Sequence, residues 1–147
     1  AAGSRYLVGG QVADVEGEEM PSSEELVHFI HSRKTAELIA ASLSIGAALA
    51  GAGETDRLAI HESGRKAGFA FQIVDDLLDL TGSEEVVGKA LRKDEKKRKI
   101  TYPAQYGIEA SREAARRLID EASTAARELG DDGLVEYLFS LIVGRVS

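Results

Sequence analysis

The chain has 147 residues, enough for one domain with its own core, and its 44% apolar and 29% charged content is that of a globular protein. A net charge of −7 argues against general nucleic-acid binding, and the absence of cysteine excludes disulfides and thiolate metal sites. No run approaches the roughly 18 apolar residues of a membrane span. Residues 1–11, AAGSRYLVGGQ, do not have the pattern of a signal peptide, so an intracellular setting fits. With only two prolines and abundant alanine, the chain leans towards an all-helical fold.

In chain order, residues 1–10 start without a cap and read as a flexible terminus, or as a chain cut from something longer. Ser22 and Ser23, followed by Glu24 and Glu25, mark a helix start. The helix they open runs from 24 to about 51, with apolar positions Leu26, Ile30, Leu38, Ala41, Ile45, Ala48 and Leu49. Gly51 and Gly53 end it, and Thr55 or Asp56 is placed to cap a second helix that reaches about Leu80. Thr81, Gly82 and Ser83 are expected to break that helix ahead of a charged segment, 84–99. Residues 100–107 open the next helix, whose stripe is Ile108, Ala115, Leu118, Ala122, Ala125 and Leu129. A turn at 130–133 and a short helix at 134–143 complete a bundle of five or six helices, and no strand alternation is evident.

The stretch FQIVDDLLDL, residues 71–80, sets three aspartates into an apolar segment. On a helix, Arg65, Gly68, Gln72, Asp75, Asp76 and Asp79 fall within an arc of roughly 100°. Phe69, Phe71, Ile73, Val74, Leu77, Leu78 and Leu80 fill the rest. A charged stripe ordinarily faces water. This one ends in aspartate alone, a poorer helix former than glutamate, and like charges one turn apart repel. Short carboxylates on a rigid backbone suit a hard cation such as Mg²⁺, shared with substrate phosphates, and bound cations would cancel that repulsion.

Two further features bear on a site. Lys34, four residues from both Ile30 and Leu38, lies on the apolar face of its helix. Its ammonium either snorkels to water or points into a polar cavity. KALRKDEKKRK, residues 89–99, is strongly basic inside an acidic protein. It is either a solvated loop or a cover for a metal-bridged diphosphate.

Four stretches read together resemble the trans-isoprenyl diphosphate synthases: GGQVAD (9–14), RKT (33–35), FQIVDDLLD (71–79) and GKALRKDEKKRKITYP (88–103). The resemblance implies an all-α helical bundle, the C-terminal part of an isoprenoid synthase fold, with residues 1–147 lacking the N-terminal half. It implies that Asp75, Asp76 and Asp79 are a second aspartate-rich motif that binds Mg²⁺. It further implies that Lys34, Thr35, Gln72, Lys89 and Lys99 contact the allylic diphosphate end of the substrate, with Gln72 near the allylic carbon. Gln11 and Asp14 match a preceding Gln-x-x-Asp element. Lys34, Thr35, Gln72, Asp75 and Asp76 are the expected catalytic set. Arg92 and Arg98 stand where family members often carry glycine, making that segment more basic.

The implied reaction condenses an allylic diphosphate with isopentenyl diphosphate in a cytoplasmic, Mg²⁺-dependent transferase. The first aspartate-rich motif and the isopentenyl diphosphate site lie upstream in the family, so this chain alone is expected to be inactive. The complete enzyme is expected to be a homodimer, and this chain to self-associate or to pair with the missing half. The rival readings are a non-catalytic prenyltransferase-like regulatory subunit and another class I terpenoid synthase; the intact aspartate motif and the KITYP ending speak for the chain-elongating family.

Overall fold

The computed structural model describes residues 1–17, 23–87 and 100–145, with the backbone alone for 81–87. Helix α1 is Leu7–Gly17, and α2, Glu24–His31, runs through one π-helical turn, Ser32–Ala36, into α3, Glu37–Leu49. Helix α4, Glu54–Val87, is the long spine of the molecule. A short α5, Tyr102–Tyr106, precedes α6, Ile108–Glu128, and α7, Leu134–Val143. With α2, the π turn and α3 counted as one rod, these make six rods, and no strand occurs among the described residues. Among the described residues, no helix is long and apolar enough to cross a membrane.

Several helix ends sit where local chemistry puts them. The Ser23 hydroxyl accepts from the Leu26 amide at 3.2 Å and caps α2, with Glu24 and Glu25 in its first turn. Gly107, at φ 85°, separates α5 from α6, so residues 100–107 do not lead into one continuous helix. At the start of α7 the Asp131 carboxylate accepts from the Val135 and Glu136 amides at 3.1 and 3.0 Å.

Three expectations are corrected. Residues 7–10, for which a flexible terminus was one of two readings, belong to α1, which packs on the π turn. The second helix starts at Glu54, with Thr55 and Asp56 already inside its first turn. Thr81, Gly82 and Ser83 do not break it, since α4 continues to Val87. Their weak helix propensity costs about 0.5–1 kcal/mol per residue at most, which a long cooperative helix carries.

The core lies between α4 and α6. Ala67, Ala70, Ile73, Val74 and Leu77 from α4 meet Ala115, Ile119, Ala122 and Ala126 from α6, with Phe139 of α7 closing one end. Each large apolar side chain buried here contributes about 1.5–3 kcal/mol. Polar groups here find partners: the buried Ser63 hydroxyl donates to the Ala122 carbonyl at 2.7 Å, and the Ser111 hydroxyl to the Gly107 carbonyl at 2.6 Å. A smaller cluster of Val27, Ile30 and Ile100 joins α2 to the segment that enters α5.

On its opposite flank α4 crosses the π turn and α3 at very short range. A Cβ on Gly68 would stand 2.6 Å from Ala36 Cα, and one on Gly64 would stand 2.7 Å from Ala40 Cα. Small residues on both rods therefore let the two backbones touch. Helix α1 approaches the same turn in the same way, since a Cβ on Gly10 would collide with the Lys34 amide nitrogen. Three elements are thus drawn together around residues 34–36.

Candidate active site

That close crossing decides which side chains meet. Gln72 lies one turn beyond Gly68 on α4, and Thr35 precedes Ala36 in the π turn. The Thr35 hydroxyl donates to Gln72 Oε1 at 2.8 Å. Asp14 lies one turn beyond Gly10 on α1, and the Lys34 ammonium donates to its Oδ2 at 2.6 Å. The π turn widens the helix where Lys34 and Thr35 sit, and such bulges concentrate at functional sites.

A small cavity of about 90 Å³ opens between these elements, lined by Asp14, Lys34, Gln72, Asp75, Asp76, Asp79, Ile100 and Thr101. Among the described residues, four aspartates and one lysine line it, which makes their contribution to its potential negative and its donors hard oxygens. Of the two readings left open for Lys34, the structure supports the polar cavity, which Lys34 lines together with its partner Asp14. Its side chain is 29% exposed and its ammonium is held at the cavity edge by Asp14.

The three aspartates of the stripe differ in environment. Asp76 is buried, and its Oδ2 accepts from the Tyr102 amide at 2.8 Å. The same oxygen lies 3.0 Å from His31 Nε2, while Oδ1 receives a long contact of 3.5 Å from Gln72 Nε2. Asp75 is half-buried and Asp79 exposed, one helical turn apart on the outer side. Among the described residues, no three carboxylate or imidazole side chains converge into a closed metal-binding set. The donor chemistry nonetheless fits a divalent cation that takes few protein carboxylates and fills its remaining positions with water and phosphate oxygens.

Of the residues expected from sequence, Lys34, Thr35, Gln72, Asp75, Asp76, Asp79 and Asp14 are brought together. Gln11 is exposed on α1. Lys89 and Lys99, with Arg92 and Arg98, lie outside the described residues.

Sequence reasoning missed Ile100, Thr101 and His31. Ile100 fills the space beside Gly17, where an added Cβ would come within 2.8 Å of its Cδ1. Thr101 caps α5, accepting from the Ala104 amide at 3.3 Å. His31 follows Val27 by one turn on a buried face, a signal that was present in the sequence. Its ring packs between Phe69, edge-on at 5.3 Å, and Tyr102, stacked at 6.1 Å. Burial pushes the Tyr102 phenol above its ordinary range, so that ring is neutral at physiological pH.

Residues 3–142 match the sequence profile of the family described as polyprenyl synthetase. The chain is 44% identical over 123 residues to a dimethylallyltranstransferase of Fischerella ambigua, covering 83% of this chain and 36% of that protein. It is 34% identical over 146 residues to a farnesyl diphosphate synthase of Geobacillus stearothermophilus, covering 99% of this chain and 49% of the relative. The chain therefore spans between about a third and about half of the length of these curated relatives. Among solved structures, a decaprenyl diphosphate synthase from Rhodobacter capsulatus superposes with a TM-score of 0.79 at 27% identity, over 96% of this chain and 56% of that one. A putative farnesyl-diphosphate synthase from Marinomonas sp. MED121 gives 0.76 at 28% identity, over 97% and 48%. Matched along nearly all its length in both sequence and helical frame, the chain belongs to the polyprenyl synthetase family.

Proposed function

We propose that this chain is the C-terminal part of a chain-elongating prenyltransferase that condenses an allylic diphosphate with isopentenyl diphosphate. The observation that carries the reading is the convergence of Lys34, Gln72 and the aspartate stripe on one cavity, with Thr35 bonded to Gln72 behind it, held by the glycine-to-alanine crossing of α4 and the π turn. The names of the two curated relatives described above, a dimethylallyltranstransferase and a farnesyl diphosphate synthase, support it.

In this reading Asp75 is the leading ligand for Mg²⁺, with Asp76 and Asp79 contributing directly or through water. When bound, Mg²⁺ supplies Lewis-acid charge to the leaving diphosphate. Lys34 and Thr35 bind that diphosphate from the π turn, joined by Lys89 and Lys99. The allylic C–O bond then ionises, and Gln72 stands near the carbon that becomes cationic. The double bond of isopentenyl diphosphate forms the new C–C bond, and a proton leaves the resulting cation to restore an alkene.

Catalysis also needs the part of the enzyme that positions the second substrate and excludes water from the cation. We place that part outside residues 1–147. Ile45, Leu49 and Leu58, 60%, 85% and 65% exposed at the α3–α4 end, are apolar surface that such a partner would cover. A homodimeric, cytoplasmic enzyme is the form we expect for the complete protein.

The test mixes the purified chain with Mg²⁺, a labelled allylic diphosphate and isopentenyl diphosphate, alone and then with a separately produced N-terminal half. No elongated product is expected in the first mixture, with recovery in the second. Elongation by the chain alone would overturn the assignment of the second substrate site; no product even in the complete enzyme would overturn the reaction.

A further inference from the structure

His31 is fully buried, on a face shared with Val27 and Ile30. An imidazole there costs more than an apolar residue unless something answers its polarity. Its Nδ1 has no hydrogen-bond partner among the described residues, and its Nε2 contact with Asp76 is close but poorly aligned as a hydrogen bond. What answers it is therefore the Asp76 carboxylate itself, 3.0 Å away across the α2–α4 junction. Phe69 and Tyr102 fix the ring in its plane, leaving it little freedom to turn away.

The consequence runs outward to the cavity. With the His31 ring and the Tyr102 amide both at Oδ2, Asp76 turns Oδ1 towards Gln72. A carboxylate only accepts, so Gln72 must present Nε2 to it and Oε1 to the Thr35 hydroxyl. The orientation of the Gln72 amide is thus decided by Asp76, and that of Asp76 by His31 and the backbone of Tyr102.

We propose that His31 is a positioning residue, which through Asp76 sets the orientation of Gln72 and Thr35 at the diphosphate end of the cavity. This rests on the prenyl-transfer reading for its kinetic consequence, but not for its geometric one. Asp76 has a second duty in this arrangement, because it also ties α4 to the segment that opens α5.

The test uses the longest chain encoded around this sequence, as parent and as His31→Leu, His31→Gln and Asp76→Asn variants. The side-chain amide of Gln72, isotopically labelled, is observed by NMR, and the kinetics are followed as the KM for the allylic diphosphate and the Mg²⁺ concentration for half-maximal rate. In His31→Leu the Gln72 amide signals should move, and the KM or the Mg²⁺ requirement should rise about 10-fold, as is usual when a supporting contact behind a ligand is lost. His31→Gln, which keeps a polar group beside Asp76, should recover most of both. Unmoved Gln72 signals in a folded His31→Leu protein would overturn the proposal. Should that variant fail to fold, unmoved signals in Asp76→Asn would overturn it equally. A parent with no prenyl transfer would sink the proposed reaction, while the Gln72 signals would still decide the role of His31.

Discussion

The two flanks of α4 are equally buried but differently built. Towards α6 and α7, Ile73, Val74 and Leu77 meet Ala115, Ile119, Ala122 and Phe139, and the contact is apolar on both sides. Towards the π turn, Gln72 and Asp76 are each only 8% exposed, yet their partners are a hydroxyl, an imidazole and a backbone amide. Burial alone therefore does not distinguish core from site in this helix. The apolar flank is finished within the chain, since dispersion and area burial need only matched shape. The polar flank leads to the site instead, because Asp75 and Asp79 continue the same stripe out to the cavity.

The sharpest break between the flanks should come from truncating the closed one. Ile73→Ala removes a fully buried side chain and should destabilise the protein by about 2–5 kcal/mol. Urea unfolding followed by circular dichroism checks this. A loss near zero would mean that the α4–α6 contact is not the stabilising core.

On the open flank, Asp75→Ala should leave the unfolding curve nearly in place, because its side chain is only half-buried. In the complete enzyme it should lower turnover by about 10²-fold or more, as loss of one preorganised electrostatic group commonly does. Steady-state rates at saturating Mg²⁺ measure it, and unchanged turnover would reject Asp75 as the leading ligand.

The smallest expected effect lies away from both flanks, at the cap of α7. The amides of Glu136 and then Val135 hold the Asp131 carboxyl below its usual range. A folded-state pKa below the unfolded value contributes stability above the unfolded value of about 3.9, which is lost as pH falls through the folded one. Asp131→Ala should therefore lower the melting temperature slightly at neutral pH, and the gap from the parent should close in acid. A gap that is constant from pH 7 to below pH 4 would contradict the carboxylate cap.

Much of the helical frame was legible in advance. Ser23 before two glutamates and the glycine turn ahead of Leu134 are local signals, and each appears where the sequence places it. The stripe of α6 is right only in part, since Ala115 and Ala122 are buried but Ile108 is exposed and the buried face runs through Ala114, Ile119 and Ala126. The stripe of Gln72, Asp75, Asp76 and Asp79 was legible too, because side chains three and four residues apart share a helical face whatever surrounds it. The extension of α4 through Thr81–Gly82–Ser83 was not, since weak local preference yields to the cooperativity of a 34-residue helix.

What only the tertiary structure decided is which polar groups answer one another. Lys34 and Asp14 are 20 residues apart, and Thr35 and Gln72 are 37 apart. No periodicity links them. They meet because Gly10 and Gly68 have no side chain, so α1 and α4 can both press against the π turn at backbone range. The sequence by itself determined the helices and the acidic stripe, through propensities that act within a few turns. The pairing of Asp76 with His31, and the choice of Lys34 as the cation at the cavity edge, depended on how closely those helices could cross.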